Sequence, residues 1–111
     1  MNLNIILVEA QKSLDDGKLD DAKKKFIKAL KKAPTNIDIL NVLASIELHL
    51  GNKTKALDLL RRSSLLKPNQ SEITLNMAIC QIELGDFDGS LETINKAIAL
   101  YPSNPKLYFK R

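Results

Sequence analysis

Three of the four glycines stand at Gly17, Gly51 and Gly85, and three of the four prolines at Pro34, Pro68 and Pro102. Both series step by 34 residues, and each proline follows its glycine by 17. Glycine and proline are the residues that stop and redirect a helix, so two such series sharing one period cut the chain into equivalent pieces. Sequence self-similarity at a period of this length is the mark of a stacked repeat. The spacing predicts three units, 3–36, 37–70 and 71–104, with 105–111 left over.

Small residues keep the same period. The series Ala10, Ala44, Ala78; Ala22, Ala56, Ser90; and Ala29, Ser63, Ala97 are all Ala or Ser. Large apolar residues hold other slots, as in Phe26, Leu60, Ile94 and Leu14, Leu48, Ile82. Within each unit the apolar positions recur at helical rather than alternating spacing. A glycine just past the last apolar residue of one run can take the left-handed conformation that ends a helix. The proline that closes the next run cannot continue one. The pattern therefore predicts an all-α fold with two antiparallel helices per unit, at about 3–15, 19–32, 37–50, 53–66, 71–84 and 87–100. Small residues at matched positions let two helix backbones approach, and the larger neighbours fill the grooves beside them. One pair alone cannot bury its apolar faces, so it stacks on the next.

This pattern resembles the tetratricopeptide repeat family, over residues 3–104. In family terms Ala10, Ala44 and Ala78 match the small residue of the first helix, and Gly17, Gly51 and Gly85 match the turn. Ala22, Ala56 and Ser90 match the small residue that opens the second helix, and Phe26, Leu60 and Ile94 its large residue. Ala29, Ser63 and Ala97 match the next small residue, and Pro34, Pro68 and Pro102 the closing proline. The family's early-turn aromatic is replaced by Leu19, Lys53 and Phe87, of which only the last is aromatic, and its frequent Trp by Ile6, Leu40 and Thr74. The resemblance implies a right-handed α-solenoid of stacked antiparallel helix pairs, forming a single domain over 1–111. It also implies that the first helices line a concave groove and the second helices form a convex back.

The ends carry expectations of their own. Asn104-Pro105 has the composition of a helix start, with an N-cap followed by proline at the first helical position. Lys106 to Arg111 would then begin a seventh helix, cut short. Leu91, Ile94 and Ile98 would be left with only that stub to cover them. The expectation is either a piece of a longer protein or self-association through Leu91, Ile94, Ile98, Leu107 and Tyr108. Ile5 to Val8 is too short an apolar run, and lacks the preceding positive charge, for a secretory signal. No apolar stretch approaches the length of a membrane span. A lone cysteine, Cys80, excludes an intramolecular disulfide framework. Together these predict a cytoplasmic location.

Catalysis needs convergent acids, bases or ligands, and the chain has one His and one Cys. That is too few for a His/Cys metal site. Cys80 lies in the apolar helical stretch Met77 to Ile82 and is expected to act as a small buried hydrophobe. The glycines are isolated, so no phosphate-cradling loop is present. The expectation is a protein that is no enzyme and binds no cofactor and no metal.

The formal net charge of +4 is unevenly spread: +3 on the first unit, +2 on the second, −4 on the third and +3 on residues 105–111. The first helices hold Glu9, Asp15, Asp16, Asp38, Glu47, Glu72 and Glu83, with Lys12 their only basic residue. The second helix of unit one holds Lys23, Lys24, Lys25, Lys28, Lys31 and Lys32, ringing the side away from Ala22, Phe26, Ala29 and Leu30. A solvated lysine face explains this better than a nucleic-acid surface, since no aromatic residue interleaves to stack on bases.

Carried over by position, the groove implied by the resemblance shows Asn4, Leu7, Val8 and Gln11 from unit one. Unit two adds Asp38, Asn41, Val42, Ser45 and His49, and unit three adds Glu72, Leu75, Asn76, Ile79 and Glu83. A peptide could lie there with apolar side chains on Leu75 and Ile79 and its backbone bonded to Asn41 and Asn76. One subclass of the family clamps acidic C-termini with Lys, Arg and Asn. Here those positions are Leu7, Gln11, Val42, Glu72 and Asn76, and only Asn76 matches. An apolar or basic peptide or neighbouring domain is the expected partner, and the protein is expected to be a non-catalytic interaction scaffold. Two alternatives stand beside it: a homo-oligomer stacked end to end through the C-terminal repeat, and nucleic-acid or anionic-surface binding through the basic first repeat.

Overall fold

The computed structural model describes residues 2–100, Leu100 by its backbone alone. Within that range the chain forms six helices and no strand: α1 (Leu3–Asp15), α2 (Leu19–Lys32), α3 (Ile37–His49), α4 (Lys53–Leu66), α5 (Ser71–Glu83) and α6 (Phe87–Leu100). Each helix packs on the next in chain order, which makes a solenoid of helix pairs. The helix expected to start at Asn104-Pro105 lies outside the described residues, as do Pro102, Leu107 and Tyr108.

The turns within the pairs are built alike. Gly17, Gly51 and Gly85 have φ of 76°, 82° and 83°, the left-handed conformation that a Cβ disfavours. Each turn closes with two backbone hydrogen bonds of the Schellman type. In the first, Gly17 N–H donates to Leu14 C=O at 3.0 Å and Lys18 N–H to Ser13 C=O at 2.9 Å. The second repeats it from Gly51 to Leu48 and Asn52 to Glu47, and the third from Gly85 to Ile82 and Asp86 to Gln81. Leu50 and Leu84 are caps of this motif, so α3 and α5 end one residue before the expected limits. Asn2 and Asn36 cap the starts of α1 and α3, their side chains accepting from Ile5 N–H at 3.0 Å and Ile39 N–H at 3.1 Å.

All nine small residues of the three series are buried. Six of them are alanines with no accessible surface, so the paired backbones meet there with nothing between. Phe26, Leu60 and Ile94 are buried beside them. Ile6, Phe26, Ile39, Leu43 and Ile46 join α1, α2 and α3 into one cluster. Ala44, Leu57, Leu60 and Cys80 join α3, α4 and α5 into another. Helix α3 thus contributes to both, burying Ile39, Leu40, Leu43, Ala44 and Ile46. A fully buried leucine or isoleucine contributes about 1.5–3 kcal/mol, so α3 carries a large part of the cohesion between the pairs.

Candidate functional site

The exposed faces of α1, α3 and α5 carry the residues expected to line a groove. Gln11, Asp38, Ser45, His49, Glu72 and Ile79 are exposed, and Leu7, Leu75 and Asn76 are half-buried. Ile5 at 49% and Val8 at 70% exposed extend the apolar part along α1, and Ile82 at 45% extends it along α5. His49 Nδ1 lies 2.8 Å from Ser45 C=O. A carbonyl only accepts, so that nitrogen carries a proton. The Gln11 amide nitrogen donates to Asp15 at 2.9 Å.

Asn41 is not free for a peptide backbone. Its amide nitrogen donates to Gln70 Oε1 at 3.0 Å and its oxygen accepts from Ser63 Oγ at 2.6 Å. Gln70 Nε2 in turn donates to Ser63 Oγ and to the carbonyls of Ser63 and Lys67. Ser63 is fully buried because it takes the slot held by Ala29 and Ala97. A hydroxyl in that slot must find a partner, and Asn41 supplies it. The ring ties the α4–α5 connection to α3 and engages Asn41 within the fold, whereas the Asn76 side chain has no such bond among the described residues.

Two acids of the first helices are paired with lysines of the second helices. Glu47 is buried, and its carboxylate lies 2.9 Å from Lys23 Nζ while accepting from Asn52 at 3.0 Å. Burial pushes that carboxyl up, but the bonds from Asn52 and Lys23 and the lysine's charge outweigh it and hold it below the usual glutamate value. Glu83 pairs with Lys53 at 2.7 Å. The expected lysine ring on α2 is correspondingly thinner. Lys23 turns inward to Glu47, and Lys25 bonds Asp21 and Ser13, each at 2.9 Å. The Ser13 bond, then that of Lys25, holds Asp21 below the usual aspartate value.

These bonds reveal a series that sequence reasoning missed. Ser13, Glu47 and Gln81 are 34 residues apart, all buried, and all accept a backbone bond in the glycine turn. Each side chain then reaches a polar group on another element. Ser13 donates to Asp21 at 2.6 Å, Glu47 meets Lys23, and Gln81 accepts from Thr93 at 2.7 Å. The signal was a polar residue recurring in one slot of an otherwise apolar face.

At the C-terminal end Leu91 is 61% exposed and Ile98 half-buried, but Ile94 is buried against its own fold rather than offered to a partner. Cys80 is buried, and burial raises its thiol away from the thiolate form a nucleophile needs. Among the described residues no helix is long and apolar enough to cross a membrane.

A family model described as tetratricopeptide repeat matches residues 13–73 and again 54–108. The chain is 28% identical over 97 residues to Protein CTR9 homolog of Arabidopsis thaliana, covering 86% of this chain and 9% of that protein. It is 26% identical over 110 residues to Cellulose synthase 2 operon protein C of Komagataeibacter xylinus, covering 97% of this chain and 8% of that protein. The chain therefore spans less than a tenth of the length of these curated relatives. A crystal structure of a tetratricopeptide repeat protein from Parabacteroides merdae superposes with a TM-score of 0.86 at 22% identity, covering 96% of this chain and 41% of that one.

Proposed function

The chain belongs to the tetratricopeptide repeat family, and on that premise we propose that it binds a peptide or neighbouring domain in a groove along α1, α3 and α5. The fold is that of a protein-interaction scaffold, and we take residues 1–111 as one domain of three repeats. The observation that carries the groove is the apolar and amide strip on α5. Ile79 is exposed, Leu75 is half-buried, and the side chain of Asn76, half-buried between them, makes no hydrogen bond among the described residues. Such a strip suits an apolar side chain with a backbone group beside it. Asp38, exposed at the N-terminal end of α3, favours a basic flank on the partner over an acidic one.

The test uses peptides selected by display against the wild-type chain. The combined variant Leu75→Ala, Asn76→Ala, Ile79→Ala should lose binding while its helical circular dichroism stays unchanged. Asn41→Ala should instead lower the melting temperature and leave peptide affinity nearly intact. Undiminished affinity in the combined variant sinks the groove. End-to-end assembly is the second reading, favoured by Leu91. Light scattering that grows with concentration and returns to a monomer in Leu91→Lys would support it.

A further inference from the structure

A second recess lies on the opposite side of the repeats, between α4 and α6, with α5 as its floor. Its volume is about 710 Å³, within the range of sites that hold small ligands or peptide side chains. The repeat register explains why it is open. Shifting back by 34 residues places Leu40, Leu43, Leu59 and Leu30 where the recess has Thr74, Met77, Thr93 and Ser64. Leu40 and Leu43 are buried, and Leu30 and Leu59 pack on the first core cluster, so they close the corresponding space between α2 and α4. Three of those four slots carry the shorter, polar Ser64, Thr74 and Thr93, and the space between α4 and α6 is left unfilled.

The floor is equipped to recognise something. Gln81 is only 3% exposed, yet it lines the recess. Its oxygen accepts from Thr93, and among the described residues nothing accepts from its amide nitrogen. No side-chain polar atom is buried without a partner among the described residues, so that nitrogen is accessible, and the recess that Gln81 lines is the side open to it. Met77 and Ala97 give the floor an apolar part. The walls are electrically unequal. Arg61 stands on the α4 side, and Asp86, Asp88 and Glu92 stand on the α6 side with Lys96. Lys96 is paired with Glu92 at 3.1 Å, and Asp86 accepts from Gly89 N–H at 3.0 Å. Asp88 is left as the exposed, unpaired charge of that wall among the described residues.

We propose that the α4–α6 recess is a second docking site, taking a peptide segment that carries an apolar side chain next to a lysine or arginine. The apolar side chain lies over Met77 and Ala97, a backbone carbonyl of the segment accepts from Gln81, and the cation meets Asp88. This site is separate from the groove along α1, α3 and α5 and does not depend on it.

The test is amide chemical-shift mapping of the isotopically labelled chain with a short amidated peptide alternating leucine and lysine, and with its leucine–glutamate counterpart. The lysine peptide should shift the amides of Met77, Gln81, Thr93 and Ala97, and the glutamate peptide should not. Thr74→Leu with Thr93→Leu, which copies Leu40 and Leu59 of the second repeat, should weaken binding about tenfold. Should that variant fail to fold, Asp88→Lys tests the same site from its exposed rim and should also weaken the lysine peptide. Leu75→Ala, Asn76→Ala, Ile79→Ala should leave this binding unchanged, so failure of the groove and failure of the recess are distinguishable. Shifts confined to α1, α3 and α5, equal binding of both peptides, or full affinity in Asp88→Lys would overturn the proposal.

Discussion

At the scale of single residues, the glycine turns and the polar slot beside them set the geometry of each pair. Gly51 holds φ of 82° with open space where a Cβ would sit. A substitution there meets no neighbour, so its cost is backbone strain alone. Gly51→Ala should lower stability by about 1–2 kcal/mol in urea melts, with no change in denaturant slope. An unchanged midpoint would show that the turn relaxes. Glu47 adds a pH dependence. Its folded value lies below the unfolded one, so its stabilisation is complete at neutral pH and is lost as pH falls through that lowered value. Stability measured downward from neutral should therefore fall in the acid range, and Glu47→Gln should flatten part of that fall. The glycines and small residues were legible because each has one physical use in such a turn or contact. Glu47 and Asn41 were not, because a charged or amide side chain in a helix reads as exposed until its partner, Lys23 or Ser63, is seen across the fold.

At the scale of elements, six helices were readable because their stops are chemically explicit, and the two boundary differences are cap residues. What periodicity could not give is how much each helix buries. Helix α1 buries Ile6, Ala10 and Ser13, whereas α3 buries six residues and joins both clusters. Its apolar residues are spread around the axis, which blurs the amphipathic pattern from which burial is read. Leu43→Ala should cost about 2–5 kcal/mol, measured by denaturant unfolding. Val8→Ala, on the exposed side of α1, should stay within about 0.5 kcal/mol. Residues equivalent by 34 need not be equivalent in size, and Thr74 and Thr93 show where the stack is left underfilled.

For the molecule as a whole, the net charge of +4 conceals a division. Part of the lysine of the first repeat and part of the acid of the second neutralise one another across the α2–α3 contact, through Lys23 and Glu47. Helices flanked on both sides should be the last to open. Backbone amides of α3 and α4 should exchange with deuterium more slowly than those of α1; equal rates throughout would show that the repeats open only as one body. Which side of the stack a partner takes was not legible from the repeat, because the period fixes backbone positions while binding depends on the residues that break it. The chain-order packing of the helices has one more consequence, which concerns speed. Among the described residues every substantial helix contact joins elements adjacent along the chain, so no long loop has to close before these contacts form. Contact order is low, and folding should run on the order of microseconds to milliseconds. Each pair can therefore join the stack in the order in which it is made.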